Sequence, residues 1–243
     1  MKIKNVIEHY HQLVSVKAAS HLQEATSKML VNDFSQLAVT NENGEVIGFI
    51  SWKTIGVAGN FKTEENLVRD FMDPNLLKLK DSDRVIEHFE SILEKEFAFI
   101  SNEENQVYTI LTLYDLAQLF KMEIEPFLEL KSIESVLRLY IHTNIDNKLF
   151  LDFCRKKLSK RIKSPDDLTF GQYLRVLNEE AFWSEFQIPL HKEVFIEKLD
   201  VIRKVRNDIM HFKTRKLSNR EMKHLKDINK YFRVQNAITR TSN

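Results

Sequence analysis

Cysteine is almost missing from this chain of 243 residues: Cys154 stands alone, which excludes an intrachain disulfide framework and a cysteine-built zinc site. Glycine and proline are scarce too, at five and four, so there is no low-complexity linker and no glycine loop to cradle a phosphate. No apolar run approaches a membrane span, and the N-terminus lacks the basic, apolar and small-residue order of a secretion signal. The expectation is a cytoplasmic protein with no membrane partner. An excess of one charge is also lacking overall, with a formal net charge of +1, but the two halves differ. Residues 1–121 hold 12 Lys/Arg against 18 Asp/Glu, and residues 122–243 hold 24 against 17. A basic C-terminal half suits a polyanion such as RNA, and equally suits an ordinary solvated surface. The length allows two medium domains, each with its own core.

What is present begins with residues 1–14, where Val6, Ile7, Tyr10 and Leu13 or Val14 fall at helical spacing. His9 and His11 read as surface histidines, because no further metal ligands accompany them. A unit then occurs twice, about 60 residues apart. In the first copy, HLQEATSKML (21–30) has helical spacing, LAVT (37–40) reads as a strand, Asn43 and Gly44 signal a turn, and VIGFIS (46–51) reads as a second strand. In the second, DRVIEHFESIL (83–93) is helical, FAFI (97–100) a strand, SNEEN the turn, and VYTIL (107–111) a strand leading into a helix over 114–120.

These two copies resemble a tandem CBS-domain pair, over roughly residues 6–121. In that family the end of the last strand carries glycine, two apolar residues, Ser or Thr, two free positions, then Asp or Asn, and binds adenosine nucleotides. The first copy has Gly48, Phe49, Ile50 and Ser51, but Thr54 stands at the acidic position. The second has Thr112 and Asp115 in register, with Thr109 in place of glycine. The resemblance implies an adenine nucleotide as regulatory ligand, with Asp115 on the ribose, Thr112 near the phosphate and Ser51 at the first site. A second reading of the same residues is local: Thr112 caps the helix that follows, and Asp115 favours its positive end.

Strand signals stop at Met122. IEPFLELKSIESVLRLYIHTNI (124–145) places Phe127, Leu130, Ile133, Val136, Leu137 and Tyr140 at helical spacing, and residues 149–162 continue in that manner. Pro165 marks a break, Asp166 or Asp167 the next cap, and Leu174, Val176 and Leu177 a buried stripe. Trp183, Phe186 and Ile188 are core candidates. A long helix from His191 carries Val194, Phe195, Leu199, Ile202, Val205, Ile209 and Met210, and a capped last helix follows Leu217, with 236–243 expected to fray. On the long helix Arg203, Asn207 and His211 lie four apart, with Arg206 at the edge of their face. An arginine can hold a phosphate and an imidazole can move a proton near neutral pH. Twelve Arg and eight His yield about one such spacing by chance, so context must carry the motif.

That context resembles HEPN domains, over roughly residues 123–235, through IESVLRLYI, LTFGQYLRVL and VRNDIMHF. The resemblance implies a metal-independent endoribonuclease in which Arg206 neutralises the phosphorane, His211 moves the proton and Asn207 orients one of them, at a homodimer interface. It also marks Glu134 and Arg138 as neighbours of the motif, although they could form a plain ion pair on one helix, and Arg206 could pair with Asp200 or Asp208. The expected architecture is α+β: a CBS pair of two α/β repeats over 1–121, then an all-α, HEPN-like helical bundle over 122–243. No cofactor is expected for catalysis. The expected partners are RNA, a second copy and an antitoxin or accessory protein, in phage defence or a toxin-type stress response. The rival expectation is a non-catalytic nucleotide-binding adaptor that dimerises through its helical domain.

Overall fold

The continuous apolar runs of the N-terminal half become the middle strands of two small sheets. A computed structural model describes residues 1–7, 13–58, 66–186, 188–211 and 217–241, the side chains of 235–241 excepted. It divides into two compact units, Met1–Phe120 and Lys121–Asn243.

In the first unit, β1 (Ser15–Lys17), α1 (Leu22–Asn32), β2 (Gln36–Thr40), β3 (Val46–Ser51) and α2 (Trp52–Ala58) make one repeat. The second is β4 (Lys78–Lys80), a 3₁₀ turn at Val85–Glu87, α3 (Phe89–Lys95), β5 (Phe97–Ser101) and β6 (Val107–Thr112), followed by α4 (Leu113–Asn144). Each sheet has three strands in sequence order, the first pair parallel and the second antiparallel. β2 and β5 lie in the middle and are buried almost throughout, which is why their sequences are apolar without alternation. The register makes the repeats superimposable: Gln36 pairs with Ser51 as Phe97 pairs with Thr112. Their turns agree bond for bond. The Asn41 side-chain oxygen accepts from the N–H groups of Asn43 and Glu45, and that of Asn102 from those of Glu104 and Gln106. Gly44 and Asn105 take the left-handed backbone those turns need, at φ 82° and 63°.

Strands β1 and β4 escape the sequence reading because three residues are too few to establish a period. The helix expected over 1–14 is absent from its described part. Only Ile3–Asn5 form a 3₁₀ turn, and Leu13 and Val14 are not helical; His9, Tyr10 and His11 lie outside the described residues. Ile3 and Ile7 are apolar because they dock on the second repeat, among Leu79, Val85, Ile92 and Leu111. There, Ile3 N–H bonds the Asp83 carbonyl at 2.9 Å and Lys4 N–H the Asp81 carbonyl at 2.8 Å. The equivalent 3₁₀ turn before the second repeat, Val68–Asp70, docks on the first, where Val68 and Phe71 join Val16, Met29 and Ile50. Each repeat is thus completed by the segment that leads into the other. Between the repeats, Phe49 meets Phe97 edge-on at 4.9 Å, with Ala38 and Phe99 in the same cluster.

In the second unit, α4 continues through the position where sequence placed two helices, and it carries Pro126 in its interior. Leu130, Ile133, Leu137 and Ile141 form its buried stripe, although Phe127, expected there, is 41% exposed. After α5 (Asn147–Phe153) the chain widens into a π turn at Cys154–Leu158 and leaves helical geometry before Ile162. Cys154 is fully buried, and burial pushes its thiol pKa up. The helices are capped by residues other than Asp166 or Asp167: Ser164 caps the Pro165–Asp167 turn, and Thr169 with Gln172 caps α6 (Phe170–Leu177). Asp167 acts in return, its carboxylate accepting from the N–H of Lys163 and of Ser164. Then come α7 (Glu180–Trp183), α8 (Lys192–Met210) and α9 (Asn219–Thr241), the last running past the point where fraying was expected. Phe195, Leu199, Ile202 and Val205 of α8 are buried, and the Phe195 ring meets Phe232 edge-on and Trp183 and Tyr231 at a tilt, with centroids about 6 Å apart. Val194 and Met210, expected on the core stripe, are half-exposed.

Candidate functional site

The pseudo-symmetry of the first unit places Ser51 and Thr112 at matching strand ends, each immediately before a helix. Ser51 Oγ accepts from Thr54 N–H at 3.1 Å, and Thr54 Oγ1 accepts from Ser51 N–H at 2.9 Å while donating to the Ser51 carbonyl. In the second repeat Asp115 Oδ2 accepts from both the N–H and the hydroxyl of Thr112, each at 2.7 Å. These are reciprocal capping boxes, and Ser218 with Glu221 makes the same arrangement in the other unit. The capping reading of Thr112 and Asp115 is therefore correct as local chemistry. It does not exhaust Asp115, which is 93% buried with no partner for Oδ1 among the described residues.

Both caps line one cleft of about 1160 Å³. Its walls also include Trp52 and Lys53 from the first repeat, Tyr114 from the second, and the two helix-to-strand junctions, which carry Asp33 and Glu96. Asp33 and Glu96 close α1 and α3 in left-handed backbone, at φ 55° and 69°. The sequence reading overlooked them because it followed only the strand-to-helix pattern. Aligning the repeats by their strands would have set both acidic residues beside the middle strand of their sheet. Gly48 serves packing rather than a ligand: a Cβ there would lie 2.9 Å from the Asp73 carbonyl oxygen, where Phe49 and Asp73 exchange backbone bonds. Thr109 in the second repeat therefore does not argue against that site.

Residues 4–55 match the CBS domain. No curated protein matches the chain. Among solved structures, the chain is similar to an uncharacterized conserved protein from Pyrococcus horikoshii (27% identical, 49% of this chain and 94% of that one, TM-score 0.42). It is similar to a CBS domain protein from Pyrobaculum aerophilum complexed with AMP (13% identical, 48% and 90%, TM-score 0.43). It is also similar to the CBS domain pair of protein MJ0100 in complex with 5′-methylthioadenosine and S-adenosyl-L-methionine (16% identical, 49% and 95%, TM-score 0.44). The CBS match ends just after the first cap, so the structural equivalence of Thr112 and Asp115 to Ser51 and Thr54 rests on the register described above.

The second unit holds the other candidate residues at the end of α8. Arg206 Nε meets Glu134 Oε1 of α4 at 3.3 Å, with both side chains more than two-thirds buried. Glu134 therefore pairs with Arg206 rather than with Arg138 on its own helix. Arg138 Nε turns to Asp166 at 3.0 Å and to the Tyr173 hydroxyl at 3.3 Å. Asp200 is occupied by Arg203 at 2.7 Å and Lys204 at 3.2 Å. His211 follows the last helical residue as the C-cap, and its N–H still bonds the Asn207 carbonyl at 3.0 Å, which keeps it one turn beyond Asn207. It is exposed, Asn207 is half-buried, and neither side chain has a hydrogen-bond partner among the described residues. Phe212, the last residue of the motif, lies outside the described residues. Among the described residues no group of His, Cys, Asp and Glu could hold a metal ion, and no helix is long and apolar enough to cross a membrane.

Proposed function

We propose that this chain is a metal-independent endoribonuclease of HEPN type, regulated by an adenosine ligand bound in its CBS-like unit. Support for the ribonuclease reading is the arrangement at the end of α8: a guanidinium held by a partly buried carboxylate, the Asn207 amide beside it with no partner among the described residues, and an exposed imidazole one turn beyond Asn207. In the reaction, the ribose 2′-oxygen attacks the adjacent phosphorus and its proton passes to His211. Arg206 takes the negative charge of the phosphorane, and the 5′-oxygen leaves with a proton from the second His211 of a homodimer, leaving a 2′,3′-cyclic phosphate. Support for the regulatory site is the cleft that joins Ser51, Thr54, Thr112 and Asp115, where Asp115 Oδ1 has no partner among the described residues and suits a ribose hydroxyl. Regulation requires that the ligand bind two arrangements of the protein with different affinity.

The test is RNA cleavage by the purified chain in excess chelator, with and without adenosine ligand. His211→Ala and Arg206→Ala are expected to lower the rate about a hundredfold or more. No cleavage by a folded wild-type dimer would sink the enzyme reading. One observation favours the rival adaptor: Glu134 already balances the charge that a phosphate would need. Glu134→Gln separates the two. A positioning Glu134 predicts slower cleavage on its loss, whereas a charge-quenching one predicts tighter RNA binding and no cleavage in either protein.

A further inference from the structure

Taking the CBS-like cleft as an adenosine site, we infer that it selects adenosine compounds whose 5′ side is uncharged or cationic over those that carry a phosphate chain. This inference rests on the regulatory reading above and adds the chemical class of the ligand. Among the described residues six carboxylates line the cleft, those of Asp33, Asp70, Asp73, Glu94, Glu96 and Asp115, against two cations, Lys53 and Lys95. No arginine or histidine is among the described lining residues. A cleft walled by one sign of charge focuses its potential inward, so an anionic ligand meets repulsion there that a neutral one does not.

The elements that ordinarily hold phosphate are already occupied. A helix N-terminus binds anions through its free N–H groups and dipole. At α4, Asp115 places its own carboxylate on the Thr112 N–H and hydroxyl, so protein charge sits where a phosphate would. At α2, the Thr54 N–H is taken by Ser51 Oγ and the Ser51 N–H by Thr54 Oγ1. What remains open at the second cap is Asp115 Oδ1, an acceptor suited to a hydroxyl or a cation and not to a phosphate oxygen. Asp33 and Glu96 occupy matching junctions of the two repeats, so the negative wall is present on both sides of the cleft.

Calorimetric titration of the full chain with adenosine, 5′-methylthioadenosine, S-adenosylmethionine, AMP and ATP tests this directly. The expected order is the three phosphate-free compounds tightest, AMP next and ATP weakest, with about tenfold or more between adenosine and ATP at low salt. The gap should shrink as salt rises from about 0.05 to 0.5 M, because the repulsion is screened. The double variant Asp33→Asn/Glu96→Gln, which changes charge at exposed positions and keeps size, should narrow the adenosine-to-ATP ratio. AMP or ATP binding as tightly as adenosine, or a ratio unmoved in the double variant, would overturn the selection while leaving the adenosine site standing. Failure of all five compounds to bind would overturn the site itself.

Discussion

At the scale of single residues, several side chains carry two duties, and substitutions can separate them. Asp115 both caps α4 and offers an oxygen to the cleft. Asp115→Ala should cost about 1 kcal/mol of stability through loss of the cap and weaken adenosine-ligand binding in calorimetry. Asp115→Asn keeps an acceptor for the Thr112 N–H, so its melting temperature should stay nearer the wild type. Unchanged affinity in both variants would move the ligand to the first repeat. Asp200 gives a pH signature. Its carboxyl pKa is held below the ordinary value, first by the hydrogen bond from Arg203 and then by Lys204. A depressed folded pKa contributes stability that is present above the unfolded value and is lost as pH falls through the folded one. Both partners are partly exposed, so the contribution is roughly 0.3–0.5 kcal/mol. Asp200→Asn should thus be slightly less stable than the wild type near neutrality in denaturant unfolding, by about that amount, and the difference should vanish as pH falls below about 4. Tyr231 carries the opposite situation: its hydroxyl is buried without a partner among the described residues, and desolvation pushes its pKa up to about 12. Tyr231→Phe should leave thermal stability unchanged or raise it, since it removes an unpaired buried group. A clear drop would mean that the hydroxyl has a bridging water.

At the scale of elements, strands were legible where they are long and apolar and illegible where they are short. The β2 and β5 sequences are apolar because both faces are covered, and β3 was read to its end residues, 46–51. β1 and β4 contribute three residues each and owe their existence to the partner strand alongside. Helix interiors followed periodicity, as Phe195, Leu199, Ile202 and Val205 attest. Their ends followed side-chain capping, which is why Ser164 and Thr169 displaced the expected aspartates. The candidate site was legible in part. The CBS resemblance marked Ser51, Thr112 and Asp115, which line one cleft, whereas the Glu134 partner of Arg206 sits 72 positions away and depends on how α4 packs on α8. Gly48 supplies a test of element packing. Gly48→Ala puts a Cβ against the Asp73 carbonyl at 2.9 Å, and should destabilise the chain by about 1–3 kcal/mol in denaturant unfolding. Thr109→Gly should give no comparable gain in ligand affinity, since the glycine serves packing.

At the scale of the whole molecule, the acidic half carries the cleft and the basic half carries the Arg206 motif, so the near-zero net charge conceals two halves of opposite sign. The two repeats were visible because the same order of helix, strand, turn and strand recurs. Their mutual completion was not visible, since sequence order says nothing about which repeat a leading segment joins. Ile3 and Ile7 close the core of the second repeat, and Val68 and Phe71 that of the first. The contiguous stretch of sequence is therefore not the unit that folds. A fragment ending at residue 55 would keep the whole CBS match and still lack Val68 and Phe71, leaving Val16, Met29 and Ile50 open to water. Deleting the first seven residues should likewise loosen a sheet that begins more than seventy positions downstream. Hydrogen exchange on such a deletion would register the damage at β4, β5 and β6, and leave β2 and β3 protected.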